Sequence, residues 1–549
     1  MAIKRATFVQ LNWEYLIPAL AMIFLLTSCV VISYKKYIHN DEVLCFYLLT
    51  DRSFRHMLVA WSDKFTQAPP LFFILGWLWD KIFGSSLLSL RLFSSVSFGL
   101  SCIIVWIVIR RSYDFWSTTI GTLSVFCLSR LVLYLSAEVK WYGLFTLVCA
   151  CGLLQFDLLN REDQPSWKSL IVNGLTHCAI VLTHLYGGFY SGAILGAFVV
   201  RDYYFGTFRK SVYFSVAFSW MILIILSPVL ISQSDNSAKW FVPYSLWATI
   251  NLSTPFPQFY FFILVLLLIS ILLYVAEVTT FKEPDALDTD QTRRNSRIGL
   301  LIFAVFLLMV PFVAWVITAT IRPIFNDRYI LPTITLSWPI LLAYLVAQLA
   351  PDQRFYFSAS TTNMFARVPF TSRTSIFAAL TLALLLYPLY YAKEYPQITE
   401  HRGYPELHQP GATDVDYGYP DLPIALEAGH DFLPRFYYSA KPSRYFHILD
   451  WETAVNNATS AFATGDYVFL EALSRQYPFI QSVQSAVFLK KHERFLVLNE
   501  GEHNYGGGKW FETRIKNNPD YQIKQLGTEQ GVTGLLEMIL VERKTRMPQ

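Results

Sequence analysis

Residues 87–111 read LLSLRLFSSVSFGLSCIIVWIVIRR, an apolar run that ends at Arg110 and Arg111. A helix needs about 20 mostly apolar residues to cross a bilayer, and basic residues in short loops mark the cytoplasmic side. The run therefore predicts a membrane helix whose second end faces the cytoplasm. Similar runs occur on both sides of it, so the chain is expected to cross the membrane many times.

The composition divides the 549-residue chain into two regions. Hydrophobic residues make up 54% of the chain and charged residues 15%, and the mean hydropathy is +0.37. Apolar runs fill residues 13–391, whereas 392–549 have the composition of a soluble domain. We therefore predict a membrane domain over 1–391 and a soluble domain over 392–549. The net charge of +4 is too small and scattered to indicate a nucleic-acid partner.

Arginine and lysine orient the predicted helices. With Lys4 and Arg5 inside, the later basic clusters all face the cytoplasm if the stretch 169–200 is two helices that turn at His184–Gly188, where glycine permits a turn. A single helix there would put four basic clusters on the wrong side. The predicted spans, about eleven in all, are 16–32, 87–109, 115–133, 139–159, two within 169–200, 211–231, 259–276, 299–318, 329–349 and 375–391.

This topology places the first loop (34–68) and the C-terminal domain on the non-cytoplasmic face of the cell membrane. Residues 69–83 are too short for a full span and are interpreted as an interfacial or re-entrant segment. The basic start and the apolar run after it resemble a signal peptide, but no small-residue cleavage site follows, so we predict a retained first helix.

Ionisable and tyrosine side chains collect at the predicted outer face. They are Asp41, Glu42, Glu138, Lys140, His184, Tyr186, Asp327, Arg328 and Tyr329. Each one alone has an ordinary interpretation: a solvated loop acid, a packed histidine or a snorkelling lysine. Ionisable groups at membrane depth are costly and usually serve a site or a pathway, and their occurrence on one side favours a functional site.

These residue types suit transfer chemistry. A carboxylate at a partly apolar mouth can act as a general base toward a hydroxyl. Lysine and arginine, with a histidine, can hold a phosphate leaving group and stabilise its developing charge. The sequence has no Walker A, GxGxxG or zinc-protease motif, so nothing in it indicates ATP or a nucleotide cofactor.

Six short motifs follow one another in the membrane region. They are Asp41-Glu42, Gln67-Ala68-Pro69-Pro70-Leu71, Gly84-Ser85-Ser86 with Leu90-Arg91-Leu92, Glu138-Val139-Lys140-Trp141-Tyr142-Gly143-Leu144, His184-Leu185-Tyr186-Gly187, and Arg328-Tyr329-Ile330-Leu331-Pro332. In this order, over about residues 35–335, they resemble the GT-C superfamily of membrane glycosyltransferases. The resemblance is to the bacterial polyprenyl-phosphate-sugar enzymes related to protein O-mannosyltransferases and the lipid A aminoarabinose transferase. Lys140, where the family usually has arginine, Gln67 and Leu185 depart from the family pattern.

The resemblance implies an all-α polytopic GT-C membrane domain and an inverting glycosyltransferase that uses a polyprenyl-phosphate-linked sugar. Asp41 would be the general base that deprotonates the acceptor hydroxyl. The donor phosphate would be bound by Lys140, His184 and Arg328. Acceptor-binding or supporting roles would fall to Glu42, Glu138, Tyr142, Tyr186 and Tyr329. No cofactor is required, although Asp41, Glu42, Glu138 and His184 permit a divalent metal.

Strands alternate with helices from Tyr417 onward, which predicts a small α/β domain. The predicted strands are 423–426, 444–449, 467–473, 495–499 and 535–541, and the predicted helices 431–439 and 510–518. A role in acceptor binding or in closing the outer cavity and a role in packing alone both stay open.

Two other functional classes stay open as well. A transporter or flippase of a lipid-linked sugar would be expected to show an internal repeat with paired broken helices, which the sequence does not show. A non-catalytic scaffold would account for the soluble domain but not for the convergence of charges.

Overall fold

The computed structural model describes residues 13–66, 68–162, 164–234, 244–257, 288–321, 324–349, 370–398, 414, 417–457, 461–500, 509–530 and 535–544. Its membrane domain is helical. The helices are α1 (Leu16–Ser33), α2 (Asn40–Leu49), α3 (Phe54–Ala60), α4 (Leu71–Phe83), α5 (Leu87–Arg110), α6 (Phe115–Leu128), α7 (Arg130–Ser136), α8 (Tyr142–Asn160), α9 (Trp167–Thr183), α10 (Gly187–Phe205), α11 (Lys210–Ser219), α12 (Met221–Ser234), α13 (Leu246–Leu252), α14 (Asp288–Thr320), α15 (Trp338–Leu349) and α16 (Phe370–Ile398).

Seven helices or helix pairs of the described residues are long and apolar enough to cross a membrane, or up to eight if the bent pair α6 and α7 counts as one span. The predicted count of about eleven is not reached within these residues. The predicted span at 259–276 lies outside the described residues, and α9 and α10 are not among the seven.

The split within 169–200 is confirmed, because α9 ends at Thr183 and α10 begins at Gly187. The turn is so tight that a Cβ on Gly187 would lie 2.2 Å from the Ile180 carbonyl oxygen. Only glycine fits such a close backbone approach. Gly187, one of the glycines on which the predicted turn rested, is therefore also the residue that makes the tight turn possible.

Residues 115–133, predicted as one span, do not form a single straight helix in the structure. The helix breaks at Ser129, and the axes of α6 and α7 differ by 61°. The short helix α7 then leads into the segment 137–141, which carries two of the predicted site residues.

The first loop (34–68) folds into the short helices α2 and α3, and the following segment 69–83 forms α4. With 10, 7 and 13 residues they are too short to span a bilayer, as predicted for 69–83. Helix α4 packs closely on α2, since a Cβ on Gly76 would lie 2.6 Å from a methyl group of Leu49. The indole of Trp77 donates to the Asp51 carbonyl oxygen at 2.8 Å and ties α4 to the segment that follows α2.

The C-terminal region is an α/β domain built on one six-stranded sheet. The strands are β1 (Ile424–Leu426), β2 (Tyr445–Ile448), β3 (Ser482–Val483), β4 (Arg494–Glu500), β5 (Tyr521–Gln530) and β6 (Leu535–Arg543), in the order β3-β2-β1-β4-β6-β5. Strands β1 to β4 are parallel, and β5 and β6 form an antiparallel pair at one edge. The helices are α17 (Gly429–Tyr438), α18 (Trp451–Asn457), α19 (Ala461–Gln476), α20 (Ser485–Lys491) and α21 (Trp510–Lys516).

One predicted strand is wrong, because residues 467–473 belong to helix α19. The apolar side chains of Tyr467, Leu470, Leu473 and Tyr477 are all buried and recur every three or four residues. This spacing is that of one helix face, and a short apolar run does not by itself separate the two cases. The polar edge strand β5 was not predicted.

Candidate active site

The N-terminus of α2 presents Asp41. His39 caps this helix: its Nδ1 accepts from the Asp41 N–H at 3.4 Å, and its own N–H donates to Glu42 Oε2 at 3.1 Å. Such a reciprocal cap fixes the first turn. The positive end of the helix dipole favours a carboxylate at this position.

Asp41 faces Lys140, with 3.4 Å between Oδ2 and Nζ. The Asp41 side chain is 40% exposed, whereas that of Lys140 is 8% exposed and its ammonium lies 4.6 Å from the centre of the Trp141 ring. Burial alone would raise the pKa of Asp41, but the charges of Lys140 and Arg328 and the His39 ring outweigh it and hold that pKa well below its usual range. Asp41 is therefore an ionised carboxylate that solvent can reach.

Glu42 is the buried anchor of the site. Arg91 Nε and Nη2 donate to its two oxygens at 3.1 and 3.0 Å, and the Val139 N–H donates to Oε1 at 2.9 Å. The pair joins α2, α5 and the segment after α7, so its removal would release all three elements. Of the two predicted roles of Glu42, this geometry favours the supporting one, because the side chain is 1% exposed.

Glu138 pairs with two cations that come from distant parts of the chain. Lys36 Nζ donates to Oε1 at 2.9 Å, and Arg328 Nη1 lies 3.9 Å from Oε2. Burial raises the pKa of Glu138, but Lys36 and Arg328 lower it more, and the carboxylate is charged. Both cations also lie over the Tyr134 ring.

His184 lies in an aromatic cluster beside this ionic group. Its ring centre is 4.5 Å from that of Tyr329, 5.0 Å from Phe145 and 5.9 Å from Trp141. Its Nδ1 accepts from the Tyr186 N–H at 3.1 Å, which closes the turn between α9 and α10. A phosphate contact of His184 stays a prediction.

The three predicted tyrosines line the same side as His184. The ring of Tyr329 lies 5.2 Å from Tyr186 and 6.5 Å from Tyr142. The Tyr186 hydroxyl donates to the Ile324 carbonyl oxygen at 2.6 Å, which ties the α9–α10 turn to the segment before Arg328. The predicted residues of separate loops are thus brought together.

The ionic group has an excess of positive charge. Its carboxylates are Asp41, Glu42 and Glu138, and its cations are Lys36, Arg91, Lys140 and Arg328. An anion such as a phosphate is favoured where cations outnumber carboxylates. Lys140 and Arg328 are the two cations that belong to the predicted phosphate site.

The predicted metal ligands do not form a metal-binding group. Among the described residues, no set of three or more His, Cys, Asp and Glu side chains is arranged to hold a metal ion. Glu42 and Glu138 are occupied by Arg91 and Lys36 instead.

Several residues of the site were not assigned a role from the sequence. They are Lys36, His39, Asn40, Arg91 and His430. Arg91 lies within one of the six motifs, and His39 and Asn40 directly precede Asp41. Their closeness to a motif is the feature of the sequence that could have indicated a place in the site. His430 carries no such signal.

Comparisons with known proteins show a family match over part of the chain and a likeness in fold. Residues 67–232 match the family model described as dolichyl-phosphate-mannose-protein mannosyltransferase. The fold is similar to the crystal structure of ArnT from Cupriavidus metallidurans bound to undecaprenyl phosphate, with a TM-score of 0.54 and 12% identity over 96% of this chain and 98% of that one. The apo state of ArnT gives a TM-score of 0.53 and 13% identity over 96% and 97% of the two chains.

The family match over residues 67–232 and the likeness in fold to ArnT both agree with the resemblance to the GT-C glycosyltransferase superfamily that the motifs indicated. The likeness in fold to ArnT extends over the C-terminal domain too, since the structural match covers 96% of this chain, whereas the motifs end near residue 335. A comparison with curated protein sequences gives no match.

Proposed function

We propose that this protein is an inverting glycosyltransferase that moves a sugar from a polyprenyl-phosphate donor to an acceptor hydroxyl on the non-cytoplasmic face of the membrane. The observation that carries the proposal is Asp41: an ionised, solvent-accessible carboxylate at a helix N-terminus, 3.4 Å from a lysine in a cation-rich group. The acceptor is a lipid, a polysaccharide or a protein that presents a hydroxyl.

The donor phosphate fits the side of Lys140 and Arg328. Arg328 is 30% exposed, and its contact with Glu138 is long at 3.9 Å, so its guanidinium can turn to a phosphate. Lys140 offers a point charge between Asp41 and the phosphate. The aromatic rings of Tyr142, Tyr186 and Tyr329 provide an apolar wall for the sugar or the first isoprene units.

The transfer step follows from these positions. Asp41 accepts the proton of the acceptor hydroxyl while the hydroxyl oxygen forms a bond to the anomeric carbon. The bond from that carbon to the phosphate oxygen breaks on the opposite face, and the polyprenyl phosphate leaves with the bonding electron pair. Lys140 and Arg328 balance the charge that develops on the phosphate.

The low pKa of Asp41 makes it a weak base while the phosphate is absent. A donor phosphate beside Lys140 and Arg328 adds negative charge, which offsets the effect of these cations on the carboxylate. Donor binding therefore raises the pKa of Asp41 and makes it a stronger base when the sugar is in place.

The decisive test replaces the base. Asp41→Asn should lower transfer by at least about 100-fold, the range of a lost general base, without a change in folding. The substrate is the lipid-linked sugar that accumulates in cells that lack the protein, and thermal unfolding of the purified variant reports on the fold. The control is Asp421→Asn, an exposed carboxylate of the outer domain that pairs with Lys441, and it should retain full activity.

Full activity of Asp41→Asn would refute the assignment. A lipid-linked-sugar transporter would behave differently in the same assay: in liposomes it would move the labelled donor across the bilayer and leave the sugar–phosphate bond intact. Cleavage of the sugar–phosphate bond that is lost in Asp41→Asn distinguishes a transferase from a transporter.

A further inference from the structure

Two helix N-termini, those of α2 and α8, meet at the candidate site. The N-terminus of α2 is capped by the His39 side chain. Helix α17 of the C-terminal domain holds the residues on both sides of this cap. The Ile38 N–H donates to the Tyr438 hydroxyl at 2.8 Å, and Asn40 Nδ2 lies 3.0 Å from His430 Nδ1. The start of α2 is therefore occupied by groups of the protein itself.

Helix α8 (Tyr142–Asn160) begins differently, because no side chain caps its first turn. The first N–H groups of an α-helix have no partner within the helix. Together with the helix dipole, these groups make a helix N-terminus favourable for a phosphate. Lys140 lies two residues before the helix and adds a positive charge at this end. Water can satisfy such N–H groups too, so the helix end alone does not indicate a ligand.

Trp141, the residue directly before α8, supplies an independent observation. It is 8% exposed, and its indole Nε1 has no hydrogen-bond partner among the described residues. In the described part of the membrane domain, the three other buried tryptophans each donate to a protein oxygen, Trp61 at 2.9 Å, Trp106 at 3.2 Å and Trp338 at 2.8 Å. A buried N–H without a partner is costly, and a bound ligand is one explanation for such a group.

The Trp141 ring borders two of the three residues predicted to bind the donor phosphate. The ammonium of Lys140 lies 4.6 Å from the centre of this ring, and the centre of the His184 ring lies 5.9 Å from it. The same ammonium is 3.4 Å from Asp41 Oδ2. The indole therefore belongs to the group of side chains that contains the proposed base and the proposed phosphate ligands.

We propose that the first turn of α8 and the indole N–H of Trp141 bind the phosphate of the lipid donor next to Lys140. An indole N–H only donates, and a hydrogen bond to an ionised oxygen is stronger than one to a neutral oxygen. The nitrogen is buried, so the contact forms as neighbouring side chains shift on binding. Trp141 is then a donor-binding residue of the proposed glycosyl transfer, on which this inference rests.

The test removes the N–H and keeps an aromatic ring. Trp141→Phe should raise the Kd for undecaprenyl phosphate at least about 10-fold, the loss expected of one hydrogen bond to a charged group. Undecaprenol, which has the same chain without the phosphate, should bind the variant and the natural protein with Kd values within about twofold of each other. Isothermal titration calorimetry in detergent micelles measures both ligands without relying on tryptophan fluorescence.

The matched control is Trp106→Phe. Trp106 is fully buried, and its indole donates to the Thr119 hydroxyl between α5 and α6. The same substitution there should leave the Kd for undecaprenyl phosphate unchanged. Thermal unfolding shows that both variants are folded.

A measurement on the natural protein does not depend on any variant. With the tryptophans labelled with ¹⁵N, one indole N–H resonance should move downfield when undecaprenyl phosphate is added, because a hydrogen bond to the phosphate deshields that proton. Undecaprenol should not produce this shift.

The inference is overturned if Trp141→Phe keeps the natural Kd for undecaprenyl phosphate, or if no indole resonance responds to the phosphate. An equal loss of affinity for undecaprenol would also overturn it, since packing of the ring against the lipid chain would then explain the effect. In each case the proposed function stands as long as Asp41→Asn abolishes transfer. Retained activity of Asp41→Asn would remove the proposed function itself, whatever Trp141→Phe does.

Discussion

The two ends of the membrane domain both gather acidic side chains and arginines, but they use them differently. At the far ends of α8 and α10, Asp157 and Asp202 are fully buried. Asp202 accepts from Arg201 at 2.9 Å, from Arg209 at 2.6 Å and from the Tyr213 hydroxyl at 2.8 Å. At the other end, Asp41 has one lysine at 3.4 Å and is 40% exposed.

The difference separates a structural network from a candidate site. A buried carboxylate whose acceptor positions are filled by several donors holds helix ends together and has no capacity left for a ligand. Asp41 retains that capacity, and the cations around it outnumber the carboxylates. The two ends contain similar charged residues, but their carboxylates differ in how many hydrogen-bond acceptor positions are filled.

The strongest test of this contrast is on stability. Asp202→Asn should lower the free energy of unfolding by about 3–5 kcal/mol, because Arg201 and Arg209 are left buried without their counter-charge. Asp41→Asn should change it by less than about 1 kcal/mol, the scale of a partly exposed pair. Denaturant unfolding in mixed micelles measures both. Equal losses of unfolding free energy in the two variants would contradict the distinction between these two parts of the molecule.

Binding of the donor phosphate tests the same contrast at the Asp41 end. Arg328→Ala and Lys140→Ala should each weaken binding of undecaprenyl phosphate about 10- to 100-fold, which corresponds to about 1.4–2.8 kcal/mol. Lys441→Ala, which removes an exposed cation of the C-terminal domain, is the control. Tryptophan fluorescence titration gives the Kd values, and unchanged values for both site variants would place the phosphate elsewhere.

Glu427 is a third kind of buried acid. Its hydrogen-bond donors are the N–H groups of Phe511 and Glu512 and the Asn499 amide. Burial raises the pKa of Glu427 to about 7. A carboxyl whose pKa is higher in the folded than in the unfolded state destabilises the fold as the pH rises from the unfolded pKa to the folded one, from about 4.5 to about 7.

The C-terminal domain should therefore lose about 1–3 kcal/mol of stability between about pH 4.5 and pH 7 through this group. Glu427→Gln should remove that dependence and stabilise the protein at pH 8. Thermal unfolding across this pH range tests it, with Glu452→Gln, an exposed acid of α18, as the control. If the pH dependence of stability is unchanged in Glu427→Gln, other titratable groups cause it.

The smallest expected effect is a shift of a pH profile. Because Lys140 holds the pKa of Asp41 down, Lys140→Gln should raise that pKa. Asp41 must be ionised to act as a base, so the loss of activity on acidification should begin at a higher pH in Lys140→Gln. Rates at limiting donor concentration across the acid range show it, and a profile that moves the other way would contradict the pairing of these two residues.

The sequence predicted which loops meet but not which side chains pair. Asp41, Lys140 and Arg328 could be placed together because basic clusters orient the helices and each residue lies at a helix end. The partners of Glu42 and Glu138 could not be predicted, since Arg91 and Lys36 reach them only through the packing of α1, α5 and α8. His430 is separated from Asn40 by 390 positions, and no local pattern relates the two.

The contact between α17 and the segment before α2 has a consequence for biosynthesis. The segment before α2 leaves the ribosome first, and His430 and Tyr438 follow about 390 to 400 residues later. At about 5–20 residues per second, translation of that interval takes about 20–80 s. During that time the nascent chain already carries the segment before α2 but not the helix that contacts it in the folded protein.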